Sequence, residues 1–175
     1  MTWDAYHRRK SALREILSLA DRDRTADTDA LLDAVPGARE AFPDDLSLLF
    51  DVQLAWYQRL SGQLDRAIHA GDDPGLATVS AWVAAAAQMP GARALLDAHL
   101  DRPELAKAFG KERALLAASA GAGGYHPAHM DRAGARLFDE ARESAVYPEP
   151  APERPARAHD VLKPLVARLR NAIAG

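Results

Sequence analysis

The stretch from Asp44 to Gly71, DDLSLLFDVQLAWYQRLSGQLDRAIHAG, leaves this chain few folds to choose from. It holds no proline, and Gly62 is its only internal glycine. At helical spacing, Leu46, Leu49, Phe50, Val52, Trp56, Tyr57, Leu60, Leu64, Ala67 and Ile68 fall on one broad face. Ser47, Asp51, Gln58, Arg59, Asp65, Arg66 and His69 fill a narrow strip opposite. An apolar face that wide needs more than one neighbouring helix to cover it. The pattern predicts a central helix over 45–70 in an all-α bundle. Gln53 lies in the middle of the apolar face. If buried, it must find hydrogen-bond partners or cost about 1–3 kcal/mol. Four roles are open to it: fixing helix register, meeting a ligand, bridging two copies of the helix, or bonding a nearby carbonyl or side chain.

The rest of the chain reads as helices around that rod. A first helix runs from a Thr2 cap to about Ala20, with Trp3, Tyr6, Leu13, Ile16, Leu17 and Ala20 as its apolar stripe. Two short helical pieces follow, punctuated at Pro36-Gly37 and Pro43. Gly71 suits a helix C-terminus, and Asp73-Pro74 suits the cap and first turn of the next helix, Pro74 to Met89. Pro90-Gly91, Pro103, Gly121–Gly124 and Pro127 mark further breaks and restarts, giving about seven or eight helices in a single domain over 1–147. Prolines at 148, 150, 152 and 155 favour an extended linker over 148–158. Beyond it, residues 159–175 form an amphipathic helix with Val161, Leu162, Leu165, Val166, Leu169 and Ile173 on one side. Val35-Pro-Gly-Ala-Arg39 echoes Met89-Pro-Gly-Ala-Arg93. The echo is either a duplicated helix–kink–helix unit or two uses of Pro-Gly to stop and restart a helix.

Composition narrows the function classes. The 175 residues suit one domain. They carry no cysteine, which excludes disulfides, thiolate metal sites and cysteine nucleophiles. The formal charge of -3 argues against a general nucleic-acid binder, and no stretch is long and uncharged enough to span a bilayer. A cytoplasmic protein with no specific nucleic-acid or membrane partner and no cofactor is expected. Val, Ile and Thr are scarce, and no run alternates as a half-buried strand would, so strand content should be close to nil.

The segments TWDAYHRR at 2–9, VPG at 35–37, LLFDVQLAWYQRLSGQL at 48–64, MPGAR at 89–93 and KERALLA at 111–117 together resemble an uncharacterised family of small all-helical proteins from high-GC Gram-positive bacteria. The resemblance covers roughly residues 1–120. It implies a helical fold and no activity, and it transfers no site residue.

Candidate chemistry is sparse. His126 and His129 share one face of a helix start, where neutral imidazoles suit a metal ion, yet a site needs a third ligand that the sequence does not place. Gly121–Gly124 follows a helix rather than a strand and lacks a phosphate-loop lysine. Ser119 stands on no nucleophile elbow, and no catalytic constellation is composed. The best binding cluster is Trp3, Tyr6, His7, Arg8 and Arg9 with Lys10, because aromatic and arginine side chains dominate interface hot spots. Its alternative is a solvated basic face whose aromatics dock in the core. The expected function is a non-enzymatic interaction or regulatory module that self-associates, with its C-terminal helix tethered. Two further readings are a bundle holding a small apolar or aromatic ligand between Trp56 and Trp82, beside Gln53, and a metal protein built on His126 and His129.

Overall fold

The computed structural model describes residues 3–68, 73–122 and 126–145. Among these, eight α-helices and no strand occur, an all-α single-domain bundle as the hydrophobic spacing predicts. The helices are α1 (Trp3–Arg22), α2 (Thr28–Ala34), α3 (Ala38–Ala41), α4 (Asp45–Ile68), α5 (Pro74–Gln88), α6 (Pro90–Asp97), α7 (Ala106–Ala117) and α8 (Pro127–Ser144). A 3-10 turn at Pro103–Leu105 leads into α7. The predicted Thr2 cap, the Gly71 stop, the proline linker and the helix over 159–175 lie outside the described residues.

Local chemistry sets the ends of these helices. Asp27 accepts from the Ala30 amide at 2.7 Å to cap α2. Asp73 accepts from the Gly75 and Leu76 amides, both at 3.0 Å, with Pro74 in the first turn of α5. Asp21, at the end of α1, accepts from the Gly91 amide at 2.8 Å and so serves the start of α6 from another helix.

α4 packs chiefly on α5 and α6, α7 on α8, and α1 on α6. Leu48, Leu49, Val52, Trp56 and Leu60 of α4 are fully buried, with Ile16, Phe42, Trp82, Leu96 and Phe109 around them. Two glycines let backbones approach. A Cβ on Gly91 would lie 2.2 Å from the Ala20 carbonyl carbon, and one on Gly134 would lie 2.2 Å from the Arg113 oxygen. The two Pro-Gly-Ala-Arg segments differ in build. Gly37 takes a left-handed conformation (φ 76°) as the N-cap of α3, whereas Gly91 sits inside the first turn of α6 without positive φ. Arg39 is exposed and pairs with Asp29 and Asp33; Arg93 is fully buried. The shared letters are two separate solutions for restarting a helix.

The broad face of α4 is covered except along one edge. Phe50, placed by spacing on that face, remains 43 % exposed, and Leu54 beyond it is 57 % exposed. The first helix departs from its predicted stripe as well. Its buried row is Ala12, Ile16 and Ala20, while Trp3 and Tyr6 stand 74 % and 47 % exposed. Those two aromatics lie off the row that faces the bundle, and the row's own early position is held by Arg9.

Candidate functional site

Three of the predicted binding residues, Gln53, Trp56 and Trp82, meet in the core around a carboxylate. Leu105, Phe109, Glu112 and Leu116 recur at helical spacing, so α7 turns Glu112 inward with its apolar neighbours. The indole N–H groups of Trp56 and Trp82 both donate to Glu112 Oε1, each at 2.9 Å. Gln53 Nε2 donates to Oε2 at 3.3 Å, and Arg93 Nη1 to Oε1 at 3.2 Å. The Arg93 guanidinium carbon lies 5.0 Å from the Trp56 ring centroid, 5.5 Å from Trp82, 5.9 Å from Phe109 and 5.7 Å from Phe138. Its Nη2 is 3.0 Å from Asp97 Oδ1, an ion pair by distance though not aligned as a hydrogen bond. Asp97 in turn accepts from Arg142 Nε at 3.1 Å.

Trp56, Trp82, Arg93 and Glu112 have no measurable exposure, and the two indoles meet edge to face at 5.3 Å. The space between α4 and Trp82 is therefore filled by side chains rather than open to a ligand. A carboxylate whose oxygens already receive four donors organises a core; it has no route to substrate. Among the described residues Gln53 Oε1 and Arg93 Nε are buried without a hydrogen-bond partner, which is the cost of fitting planar groups around one acceptor.

The basic cluster at the start of α1 divides in two. Arg9 turns inward: Nε and Nη2 clasp Asp51 at 2.7 and 3.0 Å, Nη1 donates to the Ala41 carbonyl at 2.7 Å, and Nη2 also reaches the Ser47 carbonyl at 3.1 Å. Its guanidinium stacks 4.4 Å above the Phe42 ring. The hydrogen bond to Asp51 is the main reason the Arg9 pKa is raised. Arg9 is thus a clamp between α1, α3 and α4. Trp3, Tyr6, His7 and Arg8 turn outward. Trp3 and His7 meet edge-on at 4.4 Å, Tyr6 and His7 at 5.6 Å, and Trp3 and Tyr6 at 6.3 Å.

That outward group belongs to a larger surface. The described residues include five exposed large apolar side chains: Trp3, Tyr6, Phe50, Leu54 and Leu76. Four flank the Arg9–Asp51 clamp, with Tyr6 three residues before Arg9 and Phe50 and Leu54 within three of Asp51. The flank of α1 carrying Lys10, Leu13, Arg14 and Leu17 lines an open groove with Ala55, Gln58, Arg59, Gly62 and Arg66 of α4 and with Met89. Tyr6 precedes Lys10 by one helical turn, and Leu54 precedes Gln58 by one, so these two stand one turn beyond the groove on its two helices. Exposed apolar area of this kind, next to arginine, has the composition of an interaction site.

The histidine pair yields less. His126 accepts through Nδ1 from the Ala128 amide at 3.3 Å, capping α8, and its ring lies 6.3 Å from that of His129. Both are exposed, and among the described residues no cluster of three metal-ligating side chains exists. Nor is any described helix long and apolar enough to cross a membrane. Comparison with known proteins returns no matching family model, no matching curated protein and no matching solved structure.

Proposed function

We propose that this chain is a non-enzymatic interaction module that self-associates through the patch formed by Trp3, Tyr6, Phe50 and Leu54. The observation that carries the reading is the gathering of four of the five exposed large apolar side chains beside one clamp. Scattered single apolar residues are ordinary on a protein surface, whereas a group with three aromatics gathered at one clamp has the composition of a hot spot. The apolar members carry no charge and the clamp beside them pairs Arg9 with Asp51, so a second copy can meet them in a two-fold contact. The clamp behind them fixes the relative position of α1, α3 and α4, which lowers the ordering cost of binding.

Sedimentation velocity across a micromolar concentration series tests the reading. The full chain is expected to sediment faster as concentration rises, and Leu54→Glu, an exposed substitution that leaves the core intact, is expected to return it to the monomer value. A wild-type chain that stays monomeric throughout, or a Leu54→Glu chain that associates equally well, overturns the proposal.

A further inference from the structure

The groove beside the patch differs from it in charge. Its floor is apolar, made by Leu13, Leu17, Ala55, Gly62 and Met89, and its rim carries Lys10, Arg14, Arg59 and Arg66 with no carboxylate among the lining residues. None of these four cations is ion-paired among the described residues: Arg59 donates to Gln88 Oε1 at 3.3 Å, and Arg14 reaches only the Lys10 carbonyl and Ser11 Oγ. The groove encloses about 550 Å³. From Ala55 to Arg66, α4 offers about 16 Å of wall, the length of a three-turn helix.

Gly62 adds an independent observation. It sits deep inside a 24-residue helix, where glycine is less favourable than alanine. At Gly91 and Gly134 a neighbouring backbone forbids a Cβ, but a Cβ on Gly62 would meet nothing within 4 Å among the described residues. Gly110 shares that freedom, yet Gly62 is the one that lines the groove. Among the described residues no contact calls for a glycine at 62, and the position opens onto the space another chain would fill.

We infer that the α1/α4 groove receives an acidic amphipathic helix from a partner protein, its apolar face seated over Gly62 and its carboxylates meeting Lys10, Arg14, Arg59 and Arg66. This rests on reading the chain as an interaction module and adds the chemistry of a second partner. Charge selects the occupant. The chain's own amphipathic segment 159–175 carries Lys163, Arg168 and Arg170 against a single Asp160, so it shares the sign of the rim and is disfavoured. A flat anionic bilayer would satisfy the cations but leave a recessed apolar floor unfilled, whereas a helix laid in a groove fills both.

Fluorescence anisotropy with the full-length protein and two labelled synthetic peptides tests this. One probe is an amphipathic helix with leucines on one face and glutamates on the other; the second replaces every glutamate by lysine. The glutamate peptide is expected to bind, at least about tenfold more weakly as salt rises from 50 to 300 mM, and the lysine peptide is expected not to bind. Gly62→Ala should raise Tm by about 1–4 °C while weakening the glutamate peptide, a split that a purely structural role for Gly62 would not produce. Gly62→Leu should abolish binding with Tm unreduced. Failure of the glutamate peptide to bind, equal binding of the lysine peptide, or undiminished binding to Gly62→Leu overturns the inference. So does binding to phosphatidylglycerol vesicles that Gly62→Leu leaves unchanged, with no peptide binding. Sedimentation of the free chain reports self-association separately, so loss of one property leaves the other measurable.

Discussion

Glu112→Gln removes one negative charge and almost no volume, so it isolates the electrostatics of the core. In the native chain Glu112 and Asp97 balance Arg93 and Arg142, and three further donors, from Gln53, Trp56 and Trp82, converge on the Glu112 oxygens. With its oxygen at the Oε1 position the amide keeps the two indoles and Arg93 Nη1 as donors, but its NH2 then faces the Gln53 amide, itself a donor. Arg93, with no exposure, would then face a neutral acceptor and keep only the imperfectly aligned Asp97 as a counter-charge. Breaking one side of a buried ion pair costs about 3–5 kcal/mol. That is a large share of the roughly 5–15 kcal/mol that holds a domain together. For a chain of this length each kcal/mol moves Tm by about 2–4 °C, so the midpoint should fall by about 6–20 °C. Urea unfolding followed by tryptophan emission and by far-ultraviolet circular dichroism measures the loss. Loss of less than about 1 kcal/mol would mean that the amide finds equivalent partners or that water reaches the site, and that the Glu112 charge is not what balances Arg93.

Other expectations follow from the same geometry. Gly91→Ala should destabilise by about 2–3 kcal/mol, the upper part of the overpacking range, because the obstacle is the Ala20 backbone and not a side chain that can turn away; thermal melts compare it with wild type. Arg9→Lys should cost about 1–3 kcal/mol in chemical denaturation, since an ammonium cannot clasp Asp51 twice while also reaching the Ala41 and Ser47 carbonyls. Asp33 titrates below the ordinary aspartate value of 3.8 because Arg39 donates to its carboxylate. Its contribution to stability is therefore complete above pH 3.8 and is lost as pH falls through its folded value. Carboxyl-detected NMR titration should place Asp33 below 3.8, and Arg39→Gln should return it toward that value.

How much of this was legible depended on whether a residue's role was local. Helix ends were readable because caps and prolines act within a turn: Asp73 with Pro74 opens α5, and His126 with Pro127 opens α8, where the spacing puts them. The apolar spacing likewise marks Trp56, Leu60 and Trp82 as core. The roles of Glu112 and Arg93 are not local, being made by residues 19 to 59 positions away. One signal was present: both charges occupy apolar rows, Glu112 with Phe109 and Leu116, Arg93 with Met89 and Leu96. Gln53 gave the complementary sign, since its polarity in an apolar face called for a partner, and that partner is Glu112. The surface was half readable. Trp3, Tyr6 and Arg8 stand out as a cluster, but nothing in their spacing reveals that Arg9 among them is a clamp. Nor could Leu54 and Gly62 be tied to that cluster before α1 was laid against α4.

The centre of this protein is assembled from contributions of five successive helices, α4 to α8. α4 brings Gln53 and Trp56, α5 Trp82, α6 Arg93, α7 Glu112, and α8 the Arg142 that steadies Asp97. A chain emerging from the ribosome therefore presents both tryptophans and an arginine before the acid that reconciles them has been made. No truncation ending before residue 112 can form this core, because it would enclose a cation without its counter-charge. Folding must wait for the second half and then close in one step, which favours a single cooperative transition over a succession of separately stable pieces.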